Sequence, residues 1–368
     1  MAKRAYIGID GVAKAVKKSY LGVDNVAKRI RKAYIGIGGV ARPCWARGEG
    51  VTYYGKATDL SAARAYLAAT TVGNYALVGG GYCSDIVDVY DTSLIHSTAT
   101  GLNGARAWLA ATTVGDYALF GGGLNGNDCS AVVDAYDSNL THSTAGNLGY
   151  IRSGLSATTI GNYALFAGGY GNVNASASVV DAYSSSLTRS YTTGLSTARN
   201  GGLAATSVGD YALFGGGTTD NGVTAVVEAY SSSLTRKSAP SLSSPCSGLA
   251  ATTVGDYALF NAGVGDQHTV SNLNAYDSSL TMTKLEAQAR HHHTATTIGI
   301  YAIFAGGTAG THTDYVEAFD NSLTRIVRES LSVGRASLAA TTNGEYALFC
   351  GGIGSGGQYA TVDVYTIM

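Results

Sequence analysis

The chain has 368 residues and a net charge of −1, is 45% hydrophobic and 13% charged, and contains 50 glycines but 3 prolines. No apolar run approaches the length of a membrane-spanning helix, and the N-terminal sequence lacks the hydrophobic stretch of a signal peptide. We therefore expect synthesis in a cytoplasm and no membrane insertion. The glycine content without a collagen period, together with many short β-prone runs, predicts an all-β protein in which glycine makes the turns.

The charge is distributed unevenly along the chain. Residues 1–48 hold eleven Lys and Arg against two Asp, a net charge of +9, whereas the remainder holds 13 bases and 23 acids, a net charge of −10. Two segments of opposite charge predict two separate roles. The five cysteines form no Cys-x-x-Cys pair, so we expect them to be reduced thiols.

A short repeat comes first. Tyr6, Tyr20 and Tyr34 are spaced by fourteen residues, and each begins a β-prone run followed by a turn dipeptide and a second run. The turn dipeptides Asp-Gly, Asp-Asn and Gly-Gly tolerate the positive φ of a two-residue hairpin turn. Each unit is thus predicted to be a β-hairpin, although an unstructured basic tail is the alternative. Because one hairpin alone is marginal in water, three in series favour docking on a partner surface.

Residues 43–50 interrupt both this repeat and a larger one that follows. We place a basic hairpin anchor at 1–46, a linker at 47–50 and a second domain at 51–368. Within the anchor, the residues expected to contact a partner are Lys17, Lys18, Arg31, Lys32, Tyr6, Tyr20 and Tyr34.

The larger repeat has a period of about 42 to 48 residues, which indicates a repeat architecture. Its first anchor is a tyrosine that opens a Tyr-Ala-Leu-Phe-Gly-Gly run, at Tyr75, Tyr117, Tyr163, Tyr211, Tyr257, Tyr301 and Tyr346. Each unit contains four strand-like pieces: A (Leu-Ala-Ala-Thr-Thr-Val), B (Tyr-Ala-Leu-Phe-Gly-Gly), C (Val-Val-Asp-Ala-Tyr) and a short D. Four strands per unit define a β-propeller blade, so seven units predict seven blades.

The ends of the repeat predict how the propeller closes. The seventh unit stops after its C piece, and an extra D-like run, Val51–Ala57, precedes the first A piece. We expect this first strand to complete the seventh blade, which removes two exposed sheet edges.

The succession of arginine, strand, Gly-Asp-Tyr, hydrophobic-Gly-Gly and Val-x-x-Tyr-Asp resembles the kelch repeat over residues 51–368. The chain departs from that pattern in the fourth strand, where Thr or Arg replaces the usual tryptophan (Thr188, Arg189, Thr235 and Arg236). Separately, the fourteen-residue Tyr-Ile-Gly-Val-Asp-Gly-Val-Ala-Lys units resemble terminal segments of structural proteins from phages and prophages of Gram-positive bacteria. The second resemblance implies a virion protein of the tail, baseplate or capsid surface.

Candidate ligand-binding residues lie on the face that carries the B–C and D–A loops. The B–C loops vary between units while the opposite turns hardly change, as expected for a binding surface on a rigid scaffold. The loop candidates are Tyr170, Asn127, Asp220, His268, His312 and Tyr359.

An arginine recurs about seven residues before the Thr-Thr of piece A, at Arg64, Arg106, Arg152, Arg290 and Arg335, with Arg199 shifted by one residue and Cys246 in the fifth unit. A ring of guanidinium groups could bind carboxylates, phosphates or acidic sugars. The alternative is that each arginine tethers backbone carbonyls of the neighbouring blade. The resemblance to kelch proteins allows both uses.

The remaining chemistry is sparse. The cluster Arg290-His291-His292-His293 lacks a nearby acidic or cysteine partner, and we expect no metal site and no cofactor. The acidic residue of piece C recurs once per blade except at Asn274, which favours a structural contact over catalysis. No nucleophile–base pair stands out.

We therefore expect a non-enzymatic virion protein that is anchored through residues 1–46 to other virion proteins and is oligomeric in the particle. Its propeller would display the loop face to a bacterial surface glycan or protein, and nucleic acid binding is not expected. The alternatives are a kelch-type enzyme acting on sugars and a purely structural decoration protein.

Overall fold

A computed structural model describes residues 6–9, 12–15, 20–23, 26–29, 32–37, 40–46, 50–82, 84–171 and 177–367, with the backbone alone before residue 50. The chain forms two compact units, Met1–Thr52 with Thr366–Met368, and Tyr53–Tyr365. None of the described residues belongs to a helix long and apolar enough to span a bilayer.

The first unit contains three antiparallel hairpins, as the fourteen-residue repeat predicts. Their strands pair as Tyr6–Ile9 with Val12–Ala15, Tyr20–Val23 with Val26–Arg29, and Lys32–Ile37 with Val40–Ala46. The register of the third hairpin shifts between Ala33 and Tyr34. Its second strand continues to Ala46, so residues 43–46 belong to this hairpin although they interrupt the sequence repeat.

The strands between Val51 and Ile367 form a seven-bladed β-propeller of four-stranded antiparallel sheets, which confirms the predicted architecture. In strand order A to D, blade one consists of Ala68–Val72, Tyr75–Gly79, Val87–Tyr90 and His96–Ala99. Blade two consists of Ala110–Val114, Tyr117–Gly121, Val133–Asp137 and His142–Thr144. Blade three consists of Ser156–Ile160, Tyr163–Ala167, Val180–Ser184 and Arg189–Tyr191. Blades four to six are Gly201–Val208, Tyr211–Thr219, Val227–Ser231 and Arg236–Ser238; Ala250–Val254, Tyr257–Val264, Thr269–Asp277 and Met282–Glu286; and Thr294–Ile298, Tyr301–Ala305, Val316–Asp320 and Arg325–Arg328.

Blade seven is built from both ends of the propeller sequence. Its strands are Ala339–Thr342, Ala347–Cys350, Val362–Ile367 and, as the outermost strand, Val51–Lys56. The junction is reinforced by the Tyr53 hydroxyl, which donates to Asp363 Oδ1 at 2.7 Å, and by Ala57 N–H, which donates to Val362 O at 3.0 Å. The predicted closure by the N-terminal strand is therefore confirmed.

Short extra strands extend the B–C loops on one face of the propeller. They are Leu124–Asn125 with Asp128–Cys129, Gly222–Val223 beside strand B of blade four, Thr308–Ala309 with Thr311–His312, and Ile353–Gly354 with Gly357–Gln358.

The A strands form a closed ring around the central channel, since each contacts the next and the seventh contacts the first. Threonine hydroxyls tie neighbouring A strands together: Thr70 Oγ1 lies 2.8 Å from Thr113 Oγ1, and Thr113 Oγ1 donates to Thr71 O at 2.5 Å. The same pattern recurs at other junctions. The Thr-Thr pair of piece A is thus a tie between blades.

The hydrophobic core lies between blades. One cluster, for example, joins Leu119 and Val133 of blade two to Phe166 and Tyr183 of blade three. The B-strand glycine allows this packing, because a Cβ on Gly121 would lie 2.7 Å from the Phe166 ring of the next blade. This close approach explains why the hydrophobic-Gly-Gly sequence recurs.

Candidate functional site

The six recurring arginines are buried, with 0 to 2% of each residue exposed. Each guanidinium forms an ion pair with the acidic residue of strand C in its own blade: Arg64 with Asp88, Arg106 with Asp134, Arg152 with Asp181, Arg199 with Glu228, Arg290 with Glu317 and Arg335 with Asp363. Several of these carboxylates also bond a strand D residue, as His142 Nε2 does to Asp134 Oδ1 at 2.8 Å. This is the repeated structural contact that the sequence predicted for the acidic residues.

The arginine position also joins adjacent blades, but through its backbone. In blade two, Arg106 Nη2 donates to Phe120 O of its own blade at 3.2 Å, while Arg106 O accepts from Gly81 N–H of blade one at 3.0 Å. The tethering interpretation thus needs a correction, because the guanidinium bonds its own blade and the main-chain carbonyl bonds the neighbour. Burial lowers the pKa of Arg290 to about 10. Because all six arginines are buried, they add no cation to the exposed face of the propeller.

Blade five replaces both members of the ion pair. Cys246 occupies the arginine position and Asn274 the carboxylate position, and Ser243 N–H donates to Asn274 Oδ1 at 2.8 Å. The backbone link is kept, since Cys246 O still accepts from Gly217 N–H. A single replacement would leave a buried charge unpaired, which is costly. The paired neutral replacement avoids that cost.

A second ring surrounds the channel mouth, two or three residues after the arginine position. Its members all have positive φ: Tyr66, Trp108, Gly154, Gly202, Gly248, His292 and Ser337. At six junctions between blades, the N–H of one of these residues donates to the carbonyl of the corresponding residue in the preceding blade. Trp108 N–H, for example, donates to Tyr66 O at 2.9 Å. We call these seven residues the mouth ring.

The composition of the mouth ring is asymmetric around the channel. Blades three, four and five contribute glycine, which adopts positive φ without strain. Blades six, seven, one and two contribute His292, Ser337, Tyr66 and Trp108, for which this conformation is unfavourable. Since glycine satisfies the same geometry in three blades, the four larger side chains are not required by the backbone. They point instead to a role at the mouth.

The mouth ring borders a cavity of about 610 Å³. Tyr66 and Trp108 form one wall, with ring centroids 4.4 Å apart and an interplanar angle of 31°. The cavity is also lined by Tyr170, Ser153, Asn200 and Ser337. Its described lining residues include no Asp, Glu, Lys or Arg. The cavity therefore combines an aromatic wall with a few uncharged polar groups, which is typical of a small-molecule site.

One residue beyond the mouth ring, six blades place a leucine against the cavity: Leu67, Leu109, Leu155, Leu203, Leu249 and Leu338. Blade six has His293 at this position. His293 is only 6% exposed, and within the described part of the chain neither ring nitrogen has a hydrogen-bond partner. Burial, and next the nearby Arg290, lower its pKa well below the usual value, so the imidazole is neutral.

The other histidines of the cluster do not converge with it. His291 is half-buried, and His292 is exposed with its Nδ1 atom 3.1 Å from that of His291. Because His292 has positive φ, the backbone of this segment is not extended. Among the described residues, no group of three or more His, Cys, Asp or Glu is arranged to hold a metal ion.

The predicted loop candidates are dispersed over the face. Tyr170 lines the mouth cavity, and His268 lines a separate groove of about 300 Å³ with Asp266 and Pro245. The remaining loop candidates lie at or beside the extra hairpin turns, with Asn127, Asp220 and His312 exposed and Tyr359 half-buried. Only Tyr170 among the loop candidates therefore belongs to the cavity.

Sequence analysis did not select Tyr66, Trp108, His293 or Ser337. The sequence did contain a signal for this site. Most positions of the repeat are uniform, whereas the position two residues after the recurring arginine varies between units. It also holds Trp108, one of only two tryptophans in the chain. The search for variability in the B–C loops overlooked the shorter D–A turn.

Of the predicted anchor residues, Lys17, Lys18 and Arg31 lie outside the described residues, and only the backbone is described for Tyr6, Tyr20, Lys32 and Tyr34. Three propeller cysteines, Cys129, Cys246 and Cys350, are buried as thiols, while Cys83 lies outside the described residues.

The ring of blades, its closure and its mouth cavity define a seven-bladed β-propeller protein. Among solved structures, one titled "Structure of YjhT" is similar with a TM-score of 0.59 at 14% sequence identity, over 74% of this chain and 99% of that chain. At this identity the likeness supports the fold alone. The sequence matches no known protein-family model, and no curated protein matches it.

Proposed function

We propose that the propeller is a non-enzymatic binding domain that holds an uncharged ring-shaped ligand, a sugar unit of a glycan, in the mouth cavity. The observation that carries this proposal is the asymmetry of the mouth ring, with the Tyr66–Trp108 wall facing an arc of glycines. Aromatic side chains can pack against the apolar face of a sugar ring, and the glycines leave space for it.

The electrostatics of the face favour a neutral ligand. The guanidinium groups that could have bound an acidic sugar are paired with carboxylates and covered. The groups that remain for recognition are the Ser337 hydroxyl, the Asn200 amide and the His292 imidazole. Although the His292 side chain is partly exposed, desolvation and next the nearby His291 lower its pKa as well. Such neutral groups hydrogen-bond hydroxyls without the cost of desolvating an ion.

The binding domain is proposed to be a divergent kelch propeller carried by a phage or prophage particle, with residues 1–46 as the anchor. The support is the kelch-like repeat, the resemblance of the hairpin units to phage structural proteins, and the +9 charge of residues 1–48, which favours an acidic docking surface. Residues 1–46 fused to an unrelated protein should be incorporated into purified particles, and raised salt should weaken incorporation. Equal incorporation of a tagged 51–368 fragment would refute the anchor.

The binding proposal is tested with a glycan array probed by the full chain and by Trp108→Gly. This variant copies the residue that Gly154, Gly202 and Gly248 provide in other blades, at a position that already has positive φ. It should fold like the parent, as judged by circular dichroism, yet lose glycan binding. A parent protein that binds no neutral glycan, or a Trp108→Gly variant that binds as well, refutes the proposal.

A further inference from the structure

The exposed large apolar side chains of the loop face lie in one sector of the propeller. Within the described part of the chain they are Tyr82, Trp108, Tyr150, Ile151 and Tyr170, which belong to the B–C loops and D–A turns of blades one to three. This sector also contains the Tyr66–Trp108 wall of the mouth cavity. Exposed apolar patches on a soluble protein mark binding sites when they are contiguous.

The D–A turn of blade three contributes two of these side chains at positions where the repeat does not need them. Tyr150 and Ile151 directly precede Arg152, and each is 37% exposed. The residue equivalent to Tyr150 in the other six blades is Ala62, Gly104, Thr197, Ser244, Gln288 or Val333. A large ring at position 150 is therefore not required by the fold, and its exposure leaves it free to contact a ligand.

Tyr150 is continuous with the mouth cavity through Tyr170. Tyr170 lines the cavity and is 37% exposed. Its backbone pairs with Ser153 of the same D–A turn, since Ser153 N–H donates to Tyr170 O at 2.9 Å and Tyr170 N–H donates to Ser153 O at 2.8 Å. The Tyr150 ring lies over the next residue, because a Cβ on Gly171 would be 2.5 Å from Tyr150 Cε1. The apolar surface thus runs from the cavity outward over blade three.

We propose that Tyr150, Ile151 and Tyr170 form a second sugar subsite, which holds the next unit of a glycan whose first unit lies in the mouth cavity. This inference rests on the proposed function and names its ligand as an oligosaccharide and not a single sugar.

The chemistry of the surface fits a glycan chain. A cavity of about 610 Å³ is of the size that accepts a drug-sized ligand, which is larger than one sugar ring. Tyrosine combines an apolar ring face with a hydroxyl group, so it can pack on a sugar ring and still bond water or a sugar hydroxyl. The subsite adjoins a cavity whose described lining residues carry no Asp, Glu, Lys or Arg, so the ligand is expected to be neutral along its length.

The experiment measures affinity by isothermal titration calorimetry on the full chain. The probes are three series of one to four units: β-1,4-linked N-acetylglucosamine, α-1,4-linked glucose and α-1,2-linked mannose. Tyr150→Ala copies Ala62 of blade one. Tyr82→Thr is the matched control, since it removes an exposed tyrosine of the same face on the blade-one side of the wall and copies Thr218 and Thr308 of blades four and six.

In the parent, an oligomer of at least one series should bind about three- to tenfold more tightly than its single unit, the effect of one added aromatic contact. Tyr150→Ala should abolish this gain and bind the single unit like the parent. Tyr82→Thr should keep the gain, and Trp108→Gly should weaken the single unit and the oligomers alike.

If the parent binds none of the three series, the proposed function fails and this inference fails with it. If the parent binds a single unit and its oligomers equally, or if Tyr150→Ala keeps the gain with length, the second subsite is overturned while the cavity proposal stands. Loss of the gain in Tyr82→Thr alone would place the chain on the opposite side of the wall and overturn it too. A parent dimer in analytical ultracentrifugation that Tyr150→Ala dissolves would overturn it as well, because the surface would then contact a second copy of the protein.

Discussion

The buried ion pair of each blade is predicted to be strongly coupled, and blade five provides the substitution that tests it. In blade two, Arg106 and Asp134 correspond in position to Cys246 and Asn274 of blade five. The test is a double-mutant cycle of Arg106→Cys, Asp134→Asn and the double variant, which transplants the neutral pair of blade five into blade two.

Each single variant leaves one buried charge without its partner. Arg106→Cys leaves the Asp134 carboxylate with Asn103 N–H at 3.0 Å and His142 Nε2 at 2.8 Å. Asp134→Asn leaves the guanidinium with the Phe120 carbonyl at 3.2 Å and the Asn103 carbonyl at 3.4 Å. Breaking a buried pair costs about 3–5 kcal/mol of unfolding free energy.

For a propeller of roughly 300 residues, the usual unfolding entropy per residue converts that loss to a melting temperature lower by about 5–8 °C. The double variant should lose much less than the sum of the singles, because Asn at 134 can accept from Asn103 N–H as Asn274 accepts from Ser243 N–H in blade five. The expected coupling is at least about 2 kcal/mol.

Urea unfolding followed by circular dichroism and by fluorescence measures these free energies, with coincident transitions required before a two-state analysis is applied. Additive single effects, within about 0.5 kcal/mol, would refute the view that the ion pair is a unit whose members must be replaced together. A double variant less stable than either single would refute it as well.

Three further predictions concern closure, thiols and pH. Deleting residues 1–46 should leave the propeller's melting temperature unchanged. Deleting residues 1–58 should lower it, because the outer strand of blade seven is lost. Equal melting temperatures for the two truncated proteins would contradict closure by that strand. Burial raises the pKa of the Cys246 and Cys350 thiols to about 12, so both should resist iodoacetamide at pH 8.5 until urea is added, as peptide mass spectrometry can show. The folded pKa of His293 is lowered while the unfolded value stays near 6.5, so the unfolded chain binds more protons in acid. The stabilising effect of His293→Leu should therefore grow as pH falls below about 6.5, by at most about 1.4 kcal/mol of unfolding free energy per pH unit. A stability difference independent of pH would argue against a neutral buried imidazole.

The fold could be predicted from sequence because its determinants are local and repeated. The Gly-Gly after strand B, the Thr-Thr of strand A and the strand C tyrosine each recur with one physical function. The Tyr136 hydroxyl, for example, donates to Thr100 O at 2.8 Å, in the segment between the last strand of blade one and the first strand of blade two. The orphan strand Val51–Ala57 was recognisable because a blade with three strands leaves an open edge.

The cavity could not be predicted in the same way, because it depends on distances between blades. The arginines form a ring in sequence, yet whether a guanidinium points to solvent or to Asp134 depends on the twist of each blade. Tyr66 and Trp108 lie 42 positions apart, and only blade-to-blade packing brings their rings to 4.4 Å. Positive φ at the mouth ring is likewise invisible in a sequence where tryptophan and glycine share a position.

The departures from the repeat divide into two kinds, which differ in their effect on the stability of the fold. Cys246 and Asn274 are a compensated change, because two charges disappear together and the remaining bonds are made by other groups. His293 is an uncompensated change, because a polar ring replaces leucine and the described part of the chain supplies it with no partner. Compensated changes preserve the scaffold and need no ligand to explain them. A buried polar group without a partner has a free-energy cost in the folded protein, so His293 lowers the stability of the scaffold where a leucine would not.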